Sequence, residues 1–547
     1  MEPGSSISTS GSPQATASSD PVTQRLERLA DDQRAAATTS PGPVLCVAPA
    51  GSGKTTTVVA RLAWRVAHGT DPTTICALTF NRRAAEELQE RADAALAELS
   101  IDAGTVRVRT FHALGREILA ESGVDVTRIV DRHELLEELA GGPLPPHSSR
   151  WLDDAFTRLK LDPERGPPAT DSATHAAFAA YQAELARRDA IDLDDLVADA
   201  GPSLRDRPQL LARWRERASV LFVDEAQDLD RTQLDLAVLL AGERRDIFLV
   251  GDDDQTIYAW RLADVRRVLG LADRLPGMQR VDLETNHRCA PEIVRRSARL
   301  VGHNKERFEK HIRPSPRASG TVTLVPDSGD EVTRARWLLT TWAGTPRFGA
   351  DDRRAVLART NRELAPYAAI ALELGLPYQV EVDGLLLDDT RIVECVDRAI
   401  GSDRTGAPVI LAIRAAAAEA CLSGELTAAL LGWAARYDDQ TQLRADIGSR
   451  VTDRARLVAG SASLPLATIH GTKGLEWDHV ACIGHDEGTF PAGRALRDAA
   501  DPERVLEEER RLAYVAWTRA RKTLTIVYDP GAPSMFLREA FEPEELG

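Results

Sequence analysis

Ala48-Pro49-Ala50-Gly51-Ser52-Gly53-Lys54-Thr55 is the stretch on which the fold turns. It follows an apolar run, Val44–Ala48, that predicts a buried strand. It opens a pattern over Lys54–Ala67 that predicts a helix. A strand, a run of small residues and a helix that starts with Lys and a hydroxyl residue make a phosphate-binding loop. Small residues let backbone N–H groups wrap an anion, at a helix end whose dipole favours negative charge. Ala50, Gly51, Ser52 and Gly53 form the wrap, with Thr56 beside it. Lys54 reaches the β- and γ-phosphates of a nucleoside triphosphate, and the Thr55 hydroxyl binds Mg²⁺. The first glycine of the general pattern is Ala48 here.

Outward from the loop the pattern alternates. Ile75–Phe80 reads as a strand, Arg82 to about Leu99 as a helix and Val106–Thr110 as a strand. This βαβ rhythm predicts a parallel sheet. It breaks over Gly115–Arg217, which reads as helical around a Gly141–Pro146 loop, and resumes at Val220–Val223 and Ile247–Val250. A second α/β pattern follows, with strands at Val322–Val325, Ala355–Ala358 and Tyr378–Val380. After a helical stretch over Gly401–Ala462, Leu466–Ile469 and His479–Ile483 return to strand.

Val220-Leu221-Phe222-Val223 ends in Asp224-Glu225. At the C-terminal edge of a parallel sheet such acids face the phosphate loop. Asp224 then holds Mg²⁺ through water, and Glu225 orients and deprotonates the attacking water. Taken alone, two acids after an apolar run fit a solvated strand end equally well.

At 547 residues, 43% hydrophobic and 28% charged, the chain predicts several globular domains. No run approaches the roughly 20 apolar residues of a membrane span. Residues 1–20 are rich in Ser, Thr, Gly, Pro and Ala and read as a disordered tail without a signal peptide. The six cysteines are scattered singly, which suits a reducing cytoplasm and predicts no structural metal. A net charge of −16 disfavours long-range attraction to nucleic acid. A single-strand groove, however, needs only local basic and aromatic residues.

A further set of runs resembles, in order, the motifs of superfamily 1 helicases of the UvrD/Rep branch. Leu78-Thr79-Phe80-Asn81-Arg82-Arg83-Ala84-Ala85 resembles motif Ia, and Thr110-Phe111-His112 motif Ib. Ile191-Asp192-Leu193-Asp194-Asp195-Leu196 is similar to the acidic signature ahead of motif II, which is Asp224-Glu225-Ala226-Gln227-Asp228. Motif III resembles Gly251-Asp252-Asp253-Asp254-Gln255-Thr256-Ile257-Tyr258-Ala259-Trp260-Arg261. Leu283-Glu284-Thr285-Asn286-His287-Arg288 resembles motif IV. Motif V matches Thr468-Ile469-His470-Gly471-Thr472-Lys473-Gly474-Leu475-Glu476-Trp477, and Glu507 to Ala520 resembles motif VI.

The resemblance implies an α/β fold of two RecA-like P-loop NTPase domains with helical insertions. A tail occupies 1–21, domain 1A 22–115 and 205–277, and a helical insertion 1B 116–204. Domain 2A takes 278–400 and 462–547, with a reduced 2B-like helical insertion at 401–461. It implies that Gln33, after Asp31-Asp32, reads the adenine edge, that Gln255 senses the γ-phosphate and that Glu476 touches the ribose. Arg288 and Arg519 resemble the two arginines that approach the γ-phosphate from the second domain. Phe80, Tyr258 and Trp260 resemble the aromatics on which bases stack, each stack being worth about 1–3 kcal/mol. His112, Arg261 and His470 fall at positions that contact the strand. By themselves Tyr258 and Trp260 fit core packing as well as stacking, and Arg519 fits a surface helix charge.

The implied activity is ATP-dependent 3′-to-5′ translocation on single-stranded DNA, or helicase action on a tailed duplex, in repair or genome maintenance. Its cofactors would be ATP and Mg²⁺. The chain departs from the family at His287, where Tyr often stacks on adenine, at Thr56, where Arg is common, and at His470-Gly471-Thr472. The stretch available for 2B is also short. Alternatives therefore stand beside autonomous unwinding: a DNA-stimulated ATPase that remodels protein–DNA complexes, or the motor subunit of a nuclease or defence complex.

Overall fold

The computed structural model describes residues 21–162, 172–343, 352–380, 394–395, 397–399, 409–419, 431, 442 and 464–546. The tail expected at 1–21 and nearly all of the 2B-like insertion expected at 401–461 lie outside these residues. From the latter, one helix, Val409–Glu419, is described.

Two six-stranded sheets organise the chain, and every pairing within them is parallel. The first holds β1 (Val44–Val47), β2 (Ile75–Thr79), β3 (Arg107–Thr110), β4 (Val220–Val223), β5 (Ile247–Gly251) and β6 (Gln279–Asp282). Their order is β3-β2-β4-β5-β1-β6. Every residue of β1, β2, β4 and β5 is buried, as expected where helices cover both faces of a parallel sheet. Alternate residues feed two cores: Leu45 and Val47 on one face, Val44 and Cys46 on the other. A two-stranded ladder, β7 (Thr285–Asn286) with β8 (Arg313–Pro314), follows. The second sheet holds β9 (Thr321–Pro326), β10 (Arg354–Ala358), β11 (Tyr378–Val380), β12 (Leu464–Thr468), β13 (Trp477–Cys482) and β14 (Ala520–Tyr528), in the order β11-β12-β10-β13-β14-β9.

Three expected boundaries need correction. The first sheet runs past residue 277, because β6 pairs with β1 from Val44↔Gln279 to Val47↔Asp282. It is an edge strand whose first two residues are exposed, so it carries no apolar run to betray it. The border at 115/116 cuts one continuous helix, Phe111–Glu121, whose Leu114 and Ile118 enter the first core. Gly115 lets that helix press against the short helix Asp195–Ala198: a Cβ there would lie 1.9 Å from the Leu196 carbonyl oxygen. The border at 204 falls too late, since Val197, Ala200 and Leu204 already pack in the same core.

Between these points the helices Arg132–Ala140, Pro146–Leu161 and Ser172–Arg187 build a small core of their own around Leu135, Phe156, Tyr181 and Leu185. The acidic signature is its keystone. Asp192 accepts from Tyr181 Oη at 2.8 Å and pairs with Arg132 and Lys160, each at 2.8 Å, while Asp195 pairs with Lys160 at 2.6 Å. Among the described residues no helix is long and apolar enough to cross a membrane.

Candidate active site between the lobes

The loop after β1 bends where only glycine is unstrained. Gly51 and Gly53 have φ of +72° and +82°. Space forbids a side chain as well. A Cβ at Gly51 would lie 2.7 Å from Arg288 Cβ and from Asn286 Oδ1, and one at Gly53 2.4 Å from Gln33 Nε2. Gly53 caps the helix Lys54–Ala67, so the positive helix end meets the loop.

The C-terminal ends of β4 and β5 bring the acids alongside. Lys54 Nζ lies 3.3 Å from Glu225 Oε2, which also accepts from Gln227 Nε2 at 2.6 Å. Burial raises both neighbouring carboxyls. For Asp224 the Glu225 charge adds to the rise. For Glu225, Lys54 and Lys473 overturn it and hold the carboxyl below the usual range.

The second lobe closes over the loop. Asn286 Nδ2 donates to the Ala50 carbonyl at 2.8 Å, His287 N donates to the Gly51 carbonyl at 2.8 Å, and Ala50 N donates to the Tyr514 hydroxyl at 3.3 Å. Arg519 is 1% exposed, which removes the surface-charge reading. Its guanidinium donates to Gln255 Oε1 at 3.0 Å, Leu475 O at 3.0 Å and Val515 O at 3.1 Å. Burial, then Arg288 nearby, push it down to about 10, so it stays charged at neutral pH. Arg288 pairs with Glu476 at 2.5 Å, and Gln255 Nε2 donates to Asp252 Oδ2 at 2.7 Å.

One cleft of about 510 Å³ gathers most of the expected residues: Gly51 to Thr56, Asp224, Glu225, Gln255, His287, Arg288, Glu476 and Arg519, with Phe80 and Tyr258. Ala50 is buried just behind it. Gln33 lies outside the lining. It is buried, and its side-chain amide donates to the Ser52 carbonyl at 2.7 Å. Residue reasoning gave no role to Asn286, Lys473, Asp228 or Tyr514. All four lie inside the quoted motif runs, but only the folded contacts set them apart. Lys473 pairs with Asp228, donates to the Gln255 carbonyl at 3.1 Å and lies 5.3 Å over the Tyr258 ring.

Aromatics continue from the cleft. Phe80 and Tyr258 stack at 5.3 Å and 12°, and Trp260 meets Tyr258 edge-on at 6.1 Å. Trp260 is 55% exposed, so it is not core packing, and the Arg261 guanidinium lies 4.6 Å over its ring. Tyr258 partly packs on a core of the second sheet, around Leu357, Val480 and Leu524, and its hydroxyl donates to the His470 carbonyl at 3.1 Å. The structure brings the His470 backbone to this cluster. Burial, then Arg359, push its imidazole down to about 4. His112 lies in the first turn of the helix Phe111–Glu121, within electrostatic reach of Asp194 and Arg261, and burial lowers it too.

The cleft suits a nucleoside triphosphate. A glycine cradle, the buried and unpartnered Ser52 hydroxyl, Lys54 and two arginines all face the volume where phosphates would lie. What fold and cleft define together is a P-loop NTPase of two RecA-like lobes, whose second lobe completes the site of the first. Residues 29–276 match the UvrD/REP helicase N-terminal domain, and residues 445–530 the UvrD-like helicase C-terminal domain. The chain is 30% identical to the ATP-dependent DNA helicase UvrD2 of Mycobacterium tuberculosis (strain ATCC 25618 / H37Rv), over 95% of this chain and 82% of that protein. It is 27% identical to DNA helicase II of Escherichia coli (strain K12), over 93% and 85%. Against the ATP-dependent DNA helicase PcrA of Leuconostoc citreum the figures are 28%, 90% and 80%. This chain belongs to the UvrD/REP helicase family.

Proposed function

We propose that this protein is an ATP-dependent DNA helicase whose hydrolysis drives 3′-to-5′ movement along single-stranded DNA, in repair or genome maintenance. The names of its relatives support the reaction class. The observation that carries the coupling is the segment Asp252–Arg261. Within ten residues it runs from Gln255, bonded to Arg519 in the cleft, to Tyr258 and the exposed Trp260. Any shift of Gln255 on nucleotide turnover is passed to the aromatic surface through four residues of chain.

Lys54, Arg288 and Arg519 neutralise charge that develops on the transferring phosphate. Glu225, kept ionised by Lys54 and Lys473, accepts the proton of the attacking water. Thr55 and Asp224 would hold Mg²⁺, which supplies positive charge to the phosphate oxygens. Among the described residues no group of three or more His, Cys, Asp or Glu could hold a metal ion. Gln33 steadies the Ser52 carbonyl with one N–H of its amide, which leaves the second N–H to offer an adenine edge. Trp260 and Arg261 offer a base platform and a cation for the strand, with Phe80, Tyr258, His112 and His470 beside them.

A second reading keeps the motor without autonomous unwinding, as a remodeller of protein–DNA complexes or a subunit of a larger machine. The short stretch between β11 and β12 favours it. Tailed duplexes of both polarities, run beside streptavidin displacement, separate the two. The first reading expects ATP-dependent unwinding from a 3′ tail only, and the second expects displacement without unwinding. Glu225→Gln should abolish both while ATP and DNA still bind. Near-normal turnover in that variant removes Glu225 as the base.

A further inference from the structure

Three consecutive aspartates, Asp252, Asp253 and Asp254, are buried with side chains at 0% exposure. Like charges packed this tightly in a low-dielectric interior need a cation or must protonate. The cation is Lys310, itself 2% exposed. Its ammonium lies 2.9 Å from Asp252 Oδ1, 2.7 Å from Asp253 Oδ1 and 2.6 Å from Asp254 Oδ2. Arg307 adds a two-pronged pair to Asp254 at 2.8 and 3.0 Å.

Lys310 ends a strap that spans both lobes. At its start, Lys305 N and Glu306 N donate to Glu507 at 2.7 and 3.1 Å, on the helix Pro502–Trp517 that leads to Arg519. At its end, Lys310 grips the segment that carries Gln255. The two ends therefore join the partners of the Arg519–Gln255 hydrogen bond by a second route.

The Gln255 amide must point one way. Its Nε2 donates to Asp252 Oδ2 and its Oε1 accepts from Arg519. Turned over, it would set an NH₂ against a guanidinium, two donors face to face. Asp252 fixes the orientation because its own carboxylate is held in place, with Oδ1 on Lys310 and Oδ2 on Gln255. We infer that Lys310 is a positioning residue for ATP hydrolysis: through Asp252 it sets the Gln255 amide that faces Arg519 and the γ-phosphate. This rests on the ATPase reading above.

Loss of Lys310 alone leaves an uncompensated buried charge, so the test removes one of each sign. Steady-state ATPase is measured with saturating oligo-dT for wild type, Asp253→Asn and Asp253→Asn/Lys310→Met, each also in a Gln255→Ala background. Relative to Asp253→Asn, adding Lys310→Met should lower kcat at least about ten-fold, with KM for ATP within about two-fold. In the Gln255→Ala background it should lower kcat no further, because the two act in series. An unchanged kcat, or the same fold loss in both backgrounds, overturns the inference. If the double variant does not fold, Asp252→Asn replaces it, with the same expectation and the same contrary results. A wild type whose hydrolysis ignores DNA overturns the function reading itself. A wild type stimulated by DNA, beside a variant that keeps its kcat, overturns this inference alone.

Discussion

Two halves of one segment behave oppositely. Asp252 to Gln255 is buried, and each side chain is committed to a partner: Lys310, Arg307 or Arg519. Tyr258 to Arg261 reaches the surface, and Trp260 spends most of its ring on solvent and one guanidinium. Burial of polar groups demands partners, so the first half is fixed before any ligand arrives. An exposed indole has area still to bury, so the second half is available. A motor needs both: a sensor that cannot wander and a surface that can let go.

The contrast can be broken from either side. On the buried side, Arg519→Ala should lower kcat about 10²–10³-fold with little change in KM for ATP, the expected loss for a transition-state cation. Steady-state kinetics checks it, and a rise in KM alone would move Arg519 to ground-state binding. On the exposed side, Trp260→Ala should weaken single-strand binding by about 1–3 kcal/mol, read by fluorescence anisotropy. The melting temperature should stay put, because little of that side chain is packed. A large fall in melting temperature would return Trp260 to the core. The smallest effect is expected at Arg261→Ala. The slope of log affinity against log salt should shrink by about 0.7, the share of one phosphate contact on a single strand. An unchanged slope would leave Arg261 only its contact with Trp260.

Sequence legibility follows the same division. The phosphate loop and the acidic strand end could be read because β1 and β4 are wholly apolar and abut glycine and acid directly. Motif order supplied Gln255 and Arg519, although residue type left Arg519 indistinguishable from a surface charge until its burial was seen. β6 escaped because an edge strand with exposed residues has no hydrophobic period to detect. Lys310 escaped for a different reason. Its role is a meeting with aspartates more than fifty residues back in the chain, and nothing local in His303–Lys310 announces it. Tyr514 touches Ala50 from the far lobe in the same way. Contacts that cross lobes are products of the fold and leave no spacing in the sequence.

ATP hydrolysis by the purified chain, measured with and without unstructured single-stranded oligonucleotide, bears most directly on the claim that cleft and aromatic surface work as one device. The expected result is a steep, saturable rise in kcat with oligonucleotide that Trp260→Ala blunts. A rate indifferent to an oligonucleotide that demonstrably binds would contradict it.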